Sequence, residues 1–536
     1  MGVSLADYDY IIIGGGSAGC VLADKLTASG KHRVLLLEAG PSDMRFWVQV
    51  PIGYGILFHD RRVNWMYDGA AEAHLGGREI YHPRGKVLGG SSSINALVYH
   101  RGQAGDYDDW RAAGNPGWGY EDVKPVFDSF EGPQDPPDTP YLTITDPTAA
   151  CHPIGADFMA MCNEAQLPNS TEPHREGEGI STYLTTTRGG RRCSSAAAFL
   201  RPARRRANLD VFTGAAVQRI LFEGKQARSV VFRRRGVETT VRAGGEIILS
   251  AGAVGSPQLL QLSGVGDAGS VQSFGIDMVH DAPAVGQNLQ DHFGINYFYK
   301  ANRPTLNDVF GRWPGRLAAG LQYLLTLGGP LSLSVNQYGG LVRTTSAEDR
   351  PDCQLYLNPL SYQSLYKGRR HLMRPDRFSG FIIGFNSCRP QSRGSITLES
   401  PDPATPPRIH GNYLDHPKDV EDALRMTRFI QRLQETPAIK ALLAADPLTP
   451  LDRMDDDAVI DHFRGNAGSV FHLCGTCRMG PDKRNAVVDP GLRVHGVDGL
   501  RVVDASVFPN ITSANTNAPT IMLAHRAAQM ILADAR

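Results

Sequence analysis

Gly14, Gly16 and Gly19 stand in the spacing G-x-G-x-x-G directly after the apolar run Tyr8-Asp9-Tyr10-Ile11-Ile12-Ile13. Glycines so spaced can hold a pyrophosphate: Gly14 permits the tight turn, Gly16 lets phosphates approach the backbone, and Gly19 lets the next helix pack closely on the strand. The helix that follows Ser17 is expected over about 18–28, from Ala18, with Ser29-Gly30 as its end, and its first amides would face the phosphates. A second apolar run, Val34-Leu35-Leu36-Leu37, ends on Glu38. Its carboxylate stands where it can accept hydrogen bonds from both hydroxyls of an adenosine ribose, and it would repel a 2′-phosphate. The glycines alone would suit any strand-to-helix turn, but strand, helix, second strand and acid in this order read as a dinucleotide site. The pattern does not separate NAD from FAD.

Two further loops extend the nucleotide machinery. Gly85-Lys86-Val87-Leu88-Gly89-Gly90-Ser91-Ser92-Ser93-Ile94-Asn95 offers consecutive amides and hydroxyls to a flat or anionic ligand before the apolar stretch 96–99. Gly252-Ala253-Val254-Gly255-Ser256-Pro257 follows another apolar strand, 246–250, and Pro257 suits the first turn of a helix that Ser256 caps and Gly264 ends.

These segments are similar to those of the glucose-methanol-choline (GMC) oxidoreductases, a family of FAD-dependent alcohol-oxidising flavoproteins. The stretches 85–108 and 252–266 match both long signatures of that family, and the likeness runs from the first strand to the last helix. The resemblance implies an α/β (α+β overall) chain with a Rossmann-like FAD-binding domain and a discontinuous substrate domain on an antiparallel sheet flanked by helices. Residues 1–110, 205–300 and 475–536 would form the first, and 111–204 and 301–474 the second. Besides Gly14, Gly16, Ser17, Ala18, Gly19 and Glu38, it places Ala39, Val87, Gly90, Asn95, Ala96, Leu97, Val98 and Thr516 at FAD. Val217 would meet adenine through its backbone, and Asp504 and Ala505 the ribityl and pyrophosphate. Where some members link a histidine covalently to FAD, Ile94 stands before Asn95, so noncovalent FAD is expected.

The resemblance also locates the reaction. Removing an alcohol's proton as hydride leaves for flavin N5 calls for a base near neutrality, and histidine is the natural one. His472, in Phe471-His472-Leu473-Cys474-Gly475-Thr476-Cys477, matches the histidine the family sets against the flavin, with Leu473 where proline is usual. Its partner, a histidine or asparagine, lies 43 residues on in glucose-oxidase-like members; here 515 − 472 = 43, and the residue is Asn515. Asn515 cannot take a proton at neutral pH, so His472 is the expected base and Asn515 the group that holds the substrate oxygen. A helix starting at Pro519, capped by Asn517 or Ala518, would point its positive end at the flavin. His292 reads as the organiser of a buried turn, and Cys474 and Cys477 as packing rather than a redox pair, since no thioredoxin-like context surrounds them.

These groups need a scaffold with more than one core. With 536 residues the chain exceeds the usual single-core size, so two domains are expected. Its 55 basic and 55 acidic residues cancel, which gives no general attraction to nucleic acid. Arg191-Arg192, Arg204-Arg205-Arg206 and Arg233-Arg234-Arg235 read as solvated loops and strand edges. The run 419–434 has helical periodicity, and the proline- and glycine-rich stretch 132–140 reads as a surface connection. No charged-then-apolar leader is evident and no apolar run reaches about 18 residues. The eight cysteines show no framework spacing, which suits a cytoplasmic protein, and no metal is expected. The segment 45–58, apolar and without period, reads as a loop that either lines the active-site entrance or packs between domains. In the first case it favours uncharged alcohols over choline and could rest on the inner face of a membrane, near a quinone-like acceptor. The expected reaction is oxidation of a small primary alcohol to the aldehyde with a quinone-like acceptor. An oxidase that passes electrons to dioxygen and makes hydrogen peroxide, or a non-redox FAD-containing lyase, remain the alternatives.

Overall fold

The computed structural model describes residues 8–132, 141–170, 177–363 and 374–535; the expected connection at 133–140 lies outside them. The strands are β1 (Tyr8–Ile13), β2 (Val34–Glu38), β3 (Leu209–Thr213), β4 (Ala215–Glu223), β5 (Gln226–Arg234), β6 (Val237–Leu249) and β7 (Leu500–Val502), which form a seven-stranded sheet. Its order is β3-β2-β1-β6-β5-β4, with β7 on the free flank of β6. β1 pairs in parallel with β2 (Ile11 opposite Leu35) and with β6 (Ile11 opposite Ile247). The continuous apolar runs follow from burial on both faces. Helices α1 (Ser17–Thr27) and α3 (Asn517–Asp534) pack against each other beside the sheet, and α2 (Gly252–Leu262) follows β6.

A second, six-stranded sheet is antiparallel throughout, in the order 468–469, 293–300, 380–387, 353–358, 338–342, 179–182. Helix Pro417–Gln434, as its periodicity predicts, buries Met426, Phe429, Ile430 and Leu433 in the core of that sheet. Strand Phe293–Lys300 pairs with Gly380–Ser387 and so belongs to this second sheet. Helix Tyr120–Phe130 buries Val123 and Phe127 in the core beside the seven-stranded sheet.

Several local expectations change. Pro257 lies inside α2, not in its first turn. A proline there frees the carbonyl four residues earlier, and the Thr476 hydroxyl occupies it, donating to the Ala253 oxygen at 2.7 Å. The cap of α3 is Thr516, one residue before the expected positions. Segment 45–58 is two short helices, Phe46–Gln49 and Tyr54–Leu57, joined by the turn Pro51–Gly53, too brief for any period to show. Arg192 is not solvated: it is 3% exposed. Its guanidinium donates to the carbonyls of Val48, Pro51, Ser92 and Asn95, tying segment 45–58 to the second glycine loop.

Candidate active site

The C-terminal edges of β1 and β2, the 85–98 loop and the start of α3 enclose a cavity of about 1500 Å³ that runs on to the six-stranded sheet. Gly14, Gly16, Ser17, Ala18, Glu38 and Ala39 line one end. Gly90, Asn95, Ala96, Leu97 and Val98 form one wall, and Val217, Asp504, Ala505 and Thr516 complete the surround. Gly19 and Val87 do not line it. Gly19 lies beneath the turn, where a Cβ would stand 1.9 Å from the Gly14 oxygen, and the Val87 side chain packs with Val48, Leu57, Val63 and Ile94.

The nucleotide end fits a pyrophosphate-bearing cofactor. Gly14 has φ +103°, and a Cβ on Gly90 would meet the Gly16 Cα at 2.7 Å, so two bare loops face each other across the cradle. Glu38 is buried and accepts the amides of Gly15 (2.8 Å) and Gly40 (2.7 Å), which leaves each oxygen a lone pair for a ribose hydroxyl. Burial pushes its carboxyl up to about 7 against those two bonds and Lys86. Asp504 accepts from Gly252, Ser256 and Ser506, which locks the entry of α2 to the C-terminal segment. The first turns of α1 and α3 meet where the Ser17 hydroxyl donates to Asn517 Oδ1 at 2.8 Å.

At the other end His472 and Asn515 come together: Asn515 Nδ2 donates to His472 Nε2 at 3.0 Å. Segment 289–293 positions them. Gln290 and Cys474 exchange backbone hydrogen bonds at 3.0 and 2.9 Å, and the His472 amide donates to Asp291 Oδ1 at 2.7 Å. The other oxygen of that buried carboxylate accepts the hydroxyls of Tyr413 and Ser469. Phe471, just before the histidine, is held in the left-handed region at φ +70° while Arg84 donates to its carbonyl.

His292 does more than organise a turn. Its Nδ1 lies 2.9 Å from His472 Nδ1, and its Nε2 lies 3.2 Å from the Cys388 carbonyl. A carbonyl only accepts, so His292 carries its proton on Nε2 and presents a lone pair at Nδ1. His472 must then carry its proton on Nδ1, which leaves a lone pair on Nε2, facing Asn515. Burial pushes His292 down to about 4, and burial with the nearby His292 and Arg84 pushes His472 well below its usual 6.5. Both rings are therefore neutral at pH 7. Gln354 Nε2 donates to Asn515 Oδ1 at 3.3 Å and orients its amide.

The sequence did not single out Asp291, Gln354 or Arg84, and it gave His292 only a turn-organising role and Arg192 only a solvated one. The dense polar run 288–292 and the doubled arginine at 191–192 were the available signals. Cys474 and Cys477 are both buried free thiols, and burial raises both far above the usual thiol range. Phe58 and Phe471 meet edge to face at 5.4 Å, so segment 45–58 reaches the histidine loop, and Tyr54 and Phe58 line the cavity.

Comparisons with known proteins agree with this architecture. Two sequence profiles, both described as GMC oxidoreductase, match residues 8–294 and 390–524. The chain is 38% identical over 535 residues to "Alcohol dehydrogenase [acceptor]" of Pseudomonas putida, covering 98% of this chain and 96% of that protein. It is 37% identical over 539 residues to "Oxygen-dependent choline dehydrogenase" of Vibrio vulnificus, covering 98% and 94%. Among solved structures, pyridoxine 4-oxidase from "Mesorbium loti" superposes with a TM-score of 0.85 at 29% identity, covering 98% of this chain and 99% of that one. With both halves matched, full-length relatives and a cleft that fits the cofactor, the chain belongs to the GMC oxidoreductase family and uses FAD.

Proposed function

We propose that the protein oxidises an uncharged primary alcohol with an apolar body to its aldehyde, with His472 as base, and passes the electrons to an acceptor other than dioxygen. The observation that carries this is the chain of contacts from the Cys388 carbonyl through His292 to His472 and Asn515, whose inferred proton order leaves the Nε2 lone pair of His472 at the cavity wall. FAD supplies the hydride acceptor when bound. The chain's own part is to orient and deprotonate. The hydroxyl would lie between His472 Nε2, which takes its proton, and Asn515 Nδ2, which holds its oxygen. The charge then arriving on the ring is shared through Nδ1–H with the His292 lone pair.

The substrate reading rests on the wall beyond this pair, where Tyr54, Phe58, Val335, Tyr356 and Phe385 line the cavity. The cavity's acids are elsewhere or occupied: Glu38 and Asp504 hold backbone amides, and Asp68 and Glu79 lie on the hairpin Tyr67–Glu72 with Arg78–His82. The Arg84 guanidinium acts through space on His472 and disfavours a quaternary ammonium beside it. One similar protein is named for an unspecified acceptor and another as oxygen-dependent, so the acceptor is what the following comparison decides. The test is turnover of a medium-chain or aromatic primary alcohol against choline, with an artificial dye, a quinone analogue and dioxygen in parallel. A preference for choline would overturn the substrate reading, and peroxide formed as fast as dye is reduced would overturn the acceptor reading.

A further inference from the structure

Helix Trp313–Thr326 is amphipathic in the wrong sense for a soluble surface. With about 100° between successive residues, Trp313, Leu317, Leu321, Leu324 and Leu325 share one half of the helix, and that half faces outward: Trp313 is 74% and Leu325 83% exposed. Only Ala319 and Tyr323 are buried, and the Tyr323 hydroxyl pins the helix by donating to the Gly190 carbonyl at 3.0 Å. A second exposed apolar group lies beside it on segment 44–56: Met44, Phe46, Trp47 and Ile56. The turn Pro330–Ser332 packs against both this helix and the turn Pro51–Gly53, which brings the helix and segment 44–56 near each other. Monomeric proteins rarely leave so many large apolar side chains of one region uncovered.

Three exposed arginines, Arg191, Arg312 and Arg316, lie on or beside the helix, and among the described residues none is in an ion pair. The helix itself has no acidic residue. Trp47 and Trp313 bring the amphipathic rings that favour the boundary between headgroups and acyl chains. We propose that this face docks on an anionic phospholipid bilayer, the apolar half of the helix entering the interface and the arginines meeting phosphate. A second copy of the chain fits less well, because a two-fold contact through this patch would set the same arginines against one another. The zero net charge of the chain does not oppose docking, since the attraction acts within a Debye length of the patch. Among the described residues no helix is long and apolar enough to cross a membrane, so the contact is peripheral. Tyr54 and Phe58 of the same segment line the cavity, so docking would set this wall of the cavity near the lipid. This delivery of apolar alcohol or quinone extends the function proposed above, while the docking itself stands on the surface alone.

The test is sedimentation of the FAD-loaded protein with phosphatidylglycerol/phosphatidylcholine vesicles and with pure phosphatidylcholine vesicles. Binding to the anionic vesicles is expected to weaken at high salt, and to weaken at least about tenfold both in Leu321→Glu/Leu325→Glu and on the pure phosphatidylcholine vesicles. Dye-linked turnover of a water-soluble alcohol by that variant should match the parent without vesicles, and its loss in both proteins would count against the alcohol reading and not the docking. The proposal is overturned if the parent ignores anionic vesicles or if the leucine variant binds them as tightly. It is also overturned if sedimentation without vesicles finds a dimer that the variant dissolves, which would assign the face to a second copy.

Discussion

The Nδ1 atoms of His472 and His292 lie 2.9 Å apart, and the Cys388 carbonyl behind His292 decides which of them carries the proton. In the proposed reaction, the nitrogen of His472 that would take the proton is thereby set by a group two hydrogen bonds away. His292→Leu removes the acceptor for the Nδ1 proton and frees the ring to change tautomer. We expect FAD to stay bound and flavin reduction to slow by roughly tenfold or more, with a changed pH profile. An unchanged rate in rapid-mixing reduction experiments would show that the second histidine only packs.

His472→Ala should leave FAD bound and slow flavin reduction by roughly 10²–10⁴-fold, the usual contribution of a general base. Asn515→Ala should cost less, because it loses a hydrogen bond to the substrate oxygen and keeps the base. If Asn515→Ala proved the more damaging change, the two roles would have to be exchanged.

The pH dependence should lie below the usual histidine range. Burial, then His292 and Arg84, lower His472, and burial lowers His292 to about 4, so neither ring gains a proton as pH falls through 6.5 in the folded state. The reduction rate should therefore stay level across pH 8 to 6 and fall only at lower pH. Both groups bind protons more readily when unfolded, so their contribution to stability is present above 6.5 and is lost as pH falls below it. Reduction rates and thermal midpoints measured across this range check both statements; a rate midpoint near 6.5 would contradict the first.

FAD should be released by acid precipitation, because Ile94 offers no nucleophile, and yellow colour kept in the pellet would contradict this. Its affinity should report on Glu38. Without the cofactor the carboxyl is raised from 4.5 to about 7 by burial, so its contribution to stability is full below 4.5 and is lost as pH rises through 7. Ribose hydroxyls favour the ionised form, so FAD should bind more tightly as pH rises toward 7, by up to about tenfold per unit. Titrations of the cofactor-free protein should lose that dependence in Glu38→Gln.

Cys474→Ser and Cys477→Ser should each retain alcohol activity, since both thiols are buried and burial opposes thiolate formation. Activity lost on mild oxidation and restored by reductant in the parent, but absent in both variants, would point to redox chemistry.

Local grammar was legible in the chain alone. The glycine turn after β1, the acid at the end of β2, the C-terminal helix and the two stretches that match family signatures depend on contacts within a few residues or within one strand-turn-helix unit, so spacing reveals them. The pairing of His472 with Asn515 could be anticipated from resemblance, though spacing alone says nothing of 43 intervening residues. Tertiary structure decided what depends on distant partners. Asp291 and His292 reach His472 across about 180 residues because segment 289–293 lies against 468–474, and no local pattern encodes that pairing. Arg192 looked solvated because arginine usually is, yet carbonyls from two separate loops converge on it. Pro257 looked like a helix start, and only Thr476, far along the chain, lets it sit inside one. The outward apolar face of Trp313–Thr326 has the same reason behind it: sequence sets the stripe, but which side of a helix meets the core is settled by what packs beneath it.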